Sequence, residues 1–414
     1  AEDNASEDVG ATFFDANGDG YPDLYVVTGG NEYSEGAQPL VDRLYLNDGK
    51  GNFRKAVNAL PPLTQSGSRV VAADFDGDGA IDLFVGGRSV PGRYGIDPQS
   101  VLLRNDGKGH FTDVTDRLAP GLSHIGMVTD AVWKDIDGDG RLDLVVVGEW
   151  MPITVFHNAG GGRLVKTEAR GLEKTNGWWN RVVAADFTGD GKVDFIVGNF
   201  GLNMRLQATP SEPVTMYVKD FARNGFLQQI ISYYSDGKPY PLSLRDDLLR
   251  SIAPLRDRYP NYKDFARQTM ADVFPKKEVE DAVVKNAYTF ATSLARNNGD
   301  GSFTVTPLPL EAQIAPVYGI VSGDLEGTGK TDLLLAGNFV GVKPELGPMD
   351  AGFGVFLRGD GKGHFTAVPE LASGFEVPGQ VRDIQRVRTR TGVIYVVARN
   401  NDRPLVFQTS VSRP

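Results

Sequence analysis

Val70-Val71-Ala72-Ala73, Asp74-Phe75-Asp76-Gly77-Asp78-Gly79-Ala80-Ile81-Asp82 and Leu83-Phe84-Val85-Gly86 run consecutively, placing four carboxylates within nine residues between two apolar segments. The apolar segments read as short strands, and the acidic stretch reads as the turn that joins them. Asp at positions one, three, five and nine, with Gly at six for the sharp bend, is what a short loop needs to wrap a hard cation in oxygen.

Working outward, the same unit returns along the chain. Phe13-Phe14 leads into Asp15 to Asp23 and then Leu24 to Val27; Ala131-Val132-Trp133 leads into Asp135 to Asp143 and then Leu144 to Gly148. Val182 to Ala185 leads into Asp186 to Asp194 and then Phe195 to Gly198. A fifth copy, Asp324 to Asp332, keeps the glycines but loses two central ligands. Two fainter copies begin at Asp220, where Gln228 replaces the last Asp, and at Asp383, where no loop survives. Each unit also has an outer half, a Gly-rich hairpin seen in Asn47 to Phe53 and Asn105 to Phe111, with variants at Asn158 to Leu164, Asn298 to Phe303 and Gly359 to Phe365. Its glycines accept positive φ, and its last apolar residue re-enters the core.

Periods near 60 residues with four short strands each predict propeller blades, because radial closure leaves few exposed edges. The expected fold is therefore all-β, a seven-bladed β-propeller of four-stranded blades covering 1–414 as a single domain. A linear stack of β-rolls would need much shorter repeats. Residues 236–289 break the pattern with helical periodicity, Tyr262, Phe265, Ala266, Thr269, Met270 and Val273 sharing one face and Val279, Ala282, Val283, Asn286 and Phe290 repeating it. They predict a helical insertion within blade five, between inner strands near 214–234 and an outer hairpin near 290–306.

The loops predict calcium. Their ligand sets are Asp15, Asn17, Asp19, Tyr21 and Asp23; Asp74, Asp76, Asp78, Ala80 and Asp82; Asp135, Asp137, Asp139, Arg141 and Asp143; and Asp186, Thr188, Asp190, Lys192 and Asp194, the seventh position acting through its carbonyl. Magnesium prefers rigid octahedra that keep waters, and zinc wants nitrogen or sulfur. Position twelve, a bidentate Glu in an EF-hand, is here Val26, Val85, Val146 or Val197, so an EF-hand is excluded. Asp and Gly are also ordinary turn formers, which explains any one loop. Four repeats of mutually repelling acids call for a cation to offset them. About four calcium sites are expected, with Asp324 to Asp332 a doubtful fifth.

The net charge of −10 has the same origin, since the four good loops hold 14 of the 53 acids and removing them leaves fewer acids than the 43 bases. No basic cluster offers a nucleic-acid surface. The absence of Cys excludes disulfides, thiolate metal sites and cysteine nucleophiles. No apolar run is long enough to span a bilayer and no signal peptide is visible in these residues. Ala1 without a preceding Met suggests processing.

Together the strand, acidic loop and strand followed by the DGKGxF hairpin resemble the FG-GAP or VCBS repeats of integrin α-subunit propellers and many exported bacterial proteins. Glu7-Asp8-Val9-Gly10, Asp42-Arg43-Leu44-Tyr45, Gly148 to Pro152, Gly177 to Asn180 and Ala398 to Asn401 resemble the large VCBS proteins of Bacteroidetes-type bacteria related to cartilage acidic protein. The resemblance implies a secreted or cell-surface protein, exposed on the outer membrane exterior, forming part of a larger protein or assembly, with calcium in its blade loops and no established catalytic residues.

In such propellers the metal loops lie at one face, so a ligand mouth is expected at the other. There the sequence would gather Arg88, Glu149, Trp150, Trp178, Trp179, Asn180, Asn199 and Asn338, an aromatic and amide-rich set suited to stacking on sugar rings and hydrogen-bonding hydroxyls. The alternative is that the tryptophans pack between blades and Arg88 pairs with Glu149. Catalysis would need a second carboxylate beside Glu149 at a spacing no sequence gives. His110 and His364 read as turn residues; His124 and His157 stand isolated, with no nucleophile motif nearby. The expected function is a calcium-stabilised surface module that binds a glycan or protein partner, with a polysaccharide-acting enzyme or a structural module of a larger assembly as alternatives.

Overall fold

The computed structural model describes residues 5–409 apart from 345. Seven antiparallel sheets account for nearly all its regular structure. Sheet one comprises Glu7–Phe14, Asp23–Gly29, Arg43–Asn47 and Phe53–Lys55; sheet two comprises Ser66–Ala73, Asp82–Ser89, Val101–Asn105 and Phe111–Asp113. Sheet three is built from Met127–Lys134, Asp143–Met151, Thr154–Asn158 and Leu164–Lys166, with the short strand Gly177–Trp178 added beside the end of Asp143–Met151. Sheet six (Val317–Gly323, Asp332–Gly337, Val355–Gly359, Phe365–Val368) repeats the plan, and sheet seven (Val381–Thr389, Gly392–Arg399, Leu405–Gln408) has three strands.

The second strands are the hydrophobic centre of each sheet. Leu83, Phe84 and Val85 are buried on both sides, as are Leu144 to Val147 and Phe195 to Val197, because each such strand is flanked by partners and sandwiched between neighbouring sheets. The ninth Asp of every loop opens this strand, so Ala73 pairs with Asp82, Lys134 with Asp143 and Ala185 with Asp194.

Sheets four and five do not follow the predicted order. Arg181–Ala185 and Asp194–Gly198 are completed by Ser293–Asn297 and Phe303–Pro307, so the hairpin near 290–306 belongs to sheet four and not to blade five. The reason lies in one hydrogen bond. The ninth-position Asp of a loop accepts the N–H of the residue ending its own third strand: Asp23 from Asn47 at 2.7 Å, Asp82 from Asn105 at 2.8 Å and Asp143 from Asn158 at 2.8 Å. Asp194 takes Asn297 at 2.8 Å in the same way, whereas Gln228 in the Asp220 loop carries no carboxylate with which to claim a hairpin. Sheet five, Val214–Lys219, Gln228–Ser235, Lys238–Pro241 and Val283–Ala287, is consequently inserted whole between the second and third strands of sheet four.

First strands of sheets one, two, three, four, six and seven pack against one another in succession, and no comparable packing joins Val381–Thr389 to Glu7–Phe14 among the described residues. Ion pairs cross the middle of this array. Arg69 Nε lies 2.9 Å from Asp130, and Arg181 reaches both Asp130 and Asp383, the latter two sheets further on. Burial pulls the Arg181 guanidinium down to about 10. Sheet five lies against its neighbours: Val283–Ala287 packs on Asp143–Met151 and Gly177–Trp178, and Val214, Met216 and Val218 join the cluster around Trp178.

Five of the short helices fall between the third and fourth strands of sheet five: Arg245–Ser251, Leu255–Arg258, Tyr262–Phe265, Met270–Val273 and Lys276–Val279; Thr115–Leu118 and Glu370–Ser373 lie elsewhere. Pro254, Pro260 and Pro275 interrupt the run, and capping boxes at Asn261/Asp264 and Thr269/Asp272 start new turns. Val283 and Asn286, expected on a helical face, lie in a strand instead. Leu248, Ile252, Leu255, Tyr259, Val273 and Phe274 form a satellite core beneath Ile230.

Candidate metal loops and the covered face

Each loop is shaped by its first Asp. Asp74 accepts the N–H of Gly77 at 2.8 Å and of Gly79 at 3.0 Å, Asp135 those of Gly138 and Gly140 at 2.8 and 2.9 Å, and Asp15 and Asp186 repeat the arrangement. Gly77 and Gly79 stand at φ of 77° and 91°, a left-handed backbone that other residues adopt only with strain. The fifth-position Asp takes the N–H of the seventh residue, as Asp78 does from Ala80 at 2.9 Å and Asp139 from Arg141 at 2.9 Å. Side-chain oxygens of Asp74, Asp76 and Asp78 are thereby brought within 4.8 Å of one another, as are those of Asp135, Asp137 and Asp143.

The ninth Asp is sunk under the loop. Asp23, Asp82 and Asp194 have no exposed surface and Asp143 almost none. Burial raises the carboxyl pKa of Asp23, Asp143 and Asp194, and that of Asp82 to about 7, against the hydrogen bonds that hold each down. The second oxygen of this Asp turns to the N–H of the second loop residue, Ala16 at 2.9 Å for Asp23, Ile136 at 3.0 Å for Asp143 and Phe187 at 3.1 Å for Asp194. The converging carboxylate oxygens of Asp74, Asp76 and Asp78, and of Asp135, Asp137 and Asp143, make an oxygen-only donor set that fits calcium.

Beside these ligands sits a residue the sequence left unassigned. The Asn that ends each third strand donates its side-chain amide backwards to the loop of the preceding sheet: Asn105 to Ala16 O at 2.8 Å, Asn158 to Phe75 O at 2.7 Å and Asn297 to Ile136 O at 3.1 Å. The residue before it faces the carboxylates. Arg104 sits 2.5 Å from Asp76 and 2.8 Å from Asp78, and His157 Nδ1 sits 3.0 Å from Asp137. In the Asp324 loop, Arg358 clamps Glu326 through two bonds of 2.5 and 2.6 Å, a tethered cation in place of the missing ligands. Lys192 reaches Asp190 at 3.0 Å, and Thr188 Oγ1 donates to Asp194 at 3.0 Å. The signal was available by aligning third strands, where Leu46, Arg104, His157, Arg296 and Arg358 occupy one column.

The opposite face does not form the expected open mouth. Trp150, Trp178 and Trp179 are buried, as are Asn180, Asn199 and Asn338. Sheet five and its flanking loops lie over them: Trp178 packs on Trp150, Phe200 and Phe290 at centroid distances of 5.2, 5.1 and 4.7 Å, in a cluster that includes Val214, Met216 and Val218. Trp179 Nε1 donates to Thr175 O at 2.9 Å. Asn199 Oδ1 accepts from Trp178 N and Phe200 N, and Asn338 binds Gly352 and the carbonyl of Gly379. Arg88 is paired with Glu149 at 2.5 Å, and Tyr94 donates to the other Glu149 oxygen while accepting from Trp150 Nε1 at 3.0 Å. These residues hold a cap in place; they do not present a sugar-stacking surface. An inserted sheet cannot be read from blade periodicity, which is why the mouth looked open.

Open space lies on the loop side. A groove of about 910 Å³ runs between sheets three and four, lined by Asp135, Asp137, Asp143, His157, Arg170, Lys192 and Asp300. No helix among the described residues is long and apolar enough to cross a membrane.

Residues 9–85, 94–146 and 135–197 match the family model of the FG-GAP-like repeat. Those segments carry FG-GAP-like repeats. Among curated relatives, cartilage acidic protein 1 of Mus musculus is 24% identical over 230 residues, 53% of this chain and 35% of the relative. The Homo sapiens protein of that name is 32% identical over 149 residues, 34% of this chain and 20% of its own. The chain spans about a third or less of the length of these curated relatives. Among solved structures, the exotype rhamnogalacturonan lyase YesX is similar with a TM-score of 0.40 and 14% identity, over 97% of this chain and 55% of its own. The V. cholerae biofilm matrix protein Bap1 is similar with a TM-score of 0.31 and 12% identity, over 98% and 88%.

Proposed function

We propose that this FG-GAP-repeat chain is a calcium-binding recognition module of a secreted or surface-exposed protein, which binds a partner or glycan and does not transform it. The observation that supports calcium is the convergence of the Asp74, Asp76 and Asp78 carboxylate oxygens within 4.8 Å of one another, in a loop built three more times with the same hydrogen bonds. Ions in these loops would tie each inner hairpin to its third strand and so stiffen the face that carries the groove. The enzyme reading is disfavoured because Glu149 is ion-paired with Arg88 and hydrogen-bonded by Tyr94.

The test is a panel of glycans and polysaccharides presented to calcium-loaded and to chelated protein. Retention of one class only when calcium is present, with no product released, is expected. Turnover of a polysaccharide that disappears in Glu149→Gln would establish the enzyme reading instead, and absence of any calcium-dependent ligand would favour a purely structural module.

A further inference from the structure

His157, which the sequence shows as an isolated histidine, is carried by Thr154–Asn158 to the edge of the third loop. Its Nδ1 lies 3.0 Å from Asp137 Oδ2 and 3.3 Å from Asp143 Oδ1, and Asp137, Asp139 and His157 each place a ligand atom within 4.8 Å of the others. We infer that this loop is a mixed nitrogen and oxygen site that takes a zinc-like transition ion, with His157 Nδ1 as a ligand beside Asp137 and Asp143. The inference rests on reading the loop as a cation site and deepens it by naming a different ion for one loop.

The geometry suits such an ion. Ligand atoms that bind one centre at about 2.1 Å, with angles from about 90° to 110°, are separated by about 3.0–3.4 Å, and both separations at His157 fall there. Imidazole nitrogen with carboxylates suits zinc and its neighbours in the first transition row, whereas all-oxygen loops suit calcium. The equivalent column explains why only this loop qualifies: Leu46 offers no donor atom, and Arg104, Arg296 and Arg358 stay protonated and have no lone pair to give. The His157 side chain remains 31% exposed and lines the groove between sheets three and four, so an ion enters without disturbing the core. Whatever proton Nδ1 carries before the ion binds leaves to solvent as it does.

The experiment is dialysis of the protein against excess Ca²⁺ with micromolar Zn²⁺, followed by elemental counting of both metals. One zinc per chain is expected, taken by the third loop in place of its calcium and leaving calcium in the other loops, and weakened at least tenfold in His157→Ala. His157→Gln, which keeps a polar group at the site, should lose zinc equally while leaving the melting temperature of the metal-free protein unchanged. His110→Ala and His364→Ala should keep zinc, because those imidazoles each face a single carboxylate, Asp106 or Asp360. No zinc in the unaltered protein, or zinc uptake unaffected by both His157 variants, overturns the inference. Calcium taken up without zinc refutes this ion assignment alone; neither metal taken up refutes the calcium reading as well.

Discussion

At the scale of single residues, the repeat is held by short polar side chains with two partners each. Asn158 donates to Phe75 O in the preceding sheet and to Leu142 O in its own loop, while Asn47, in the first sheet, donates only to Pro22 O. Asn158→Ala leaves a buried carbonyl unpaired and is expected to cost about 1–3 kcal/mol in denaturant unfolding, with Asn47→Ala costing less. Equal costs would contradict the stitching role. Asp42 makes a separate prediction. Burial raises its carboxyl to about 7, although Thr28 N–H and the Tyr25 hydroxyl, both at 2.8 Å, and Arg43 hold it down. An unfolded chain releases that proton near pH 3.9. Between about pH 4 and 7 the folded state therefore holds a proton the unfolded chain has lost, so this group's contribution is full below about pH 4 and disappears as pH rises to about 7. Asp42→Asn should flatten the pH dependence of the melting temperature across that window; an unchanged slope would remove Asp42 as its cause. The acidic loops were legible because their residue types and spacing are the chemistry itself. His157 and Arg104 were not, since only strand pairing brings a residue some fifteen to thirty positions away onto the carboxylates.

At the scale of elements, sheet five and its helices replace the expected ligand mouth. Strands, hairpins and the acidic turns could be read from apolar runs and Gly spacing, and they stand in their expected stretches of chain, although the hairpin near 290–306 joins sheet four and not sheet five. What periodicity could not reveal is that a whole sheet interrupts sheet four, because the information lies in a pairing across 95 residues, Val197 with Ser293 at its near end, and not in any local pattern. Trp178, framed by Trp150, Phe200 and Phe290, is then a core residue. Trp178→Ala should destabilise the protein by about 3–5 kcal/mol in chemical unfolding, as large aromatic truncations do. Full stability combined with loss of glycan binding would instead restore the open mouth.

At the scale of the whole molecule, the −10 charge and the array of sheets share one cause, acidic loops repeated at one face of successive sheets. Buried carboxylates such as Asp82 and Asp143 weaken the ion-free fold, and a cation bound only by the native state stabilises it by mass action. The most direct measurement is calcium stoichiometry with thermal unfolding on the same sample. With calcium as the only metal offered, about four calcium ions per chain are expected, with a melting temperature that falls on chelation and recovers when calcium is restored. Protein that binds no calcium after verified stripping and reloading, and melts identically in chelator, would contradict the account.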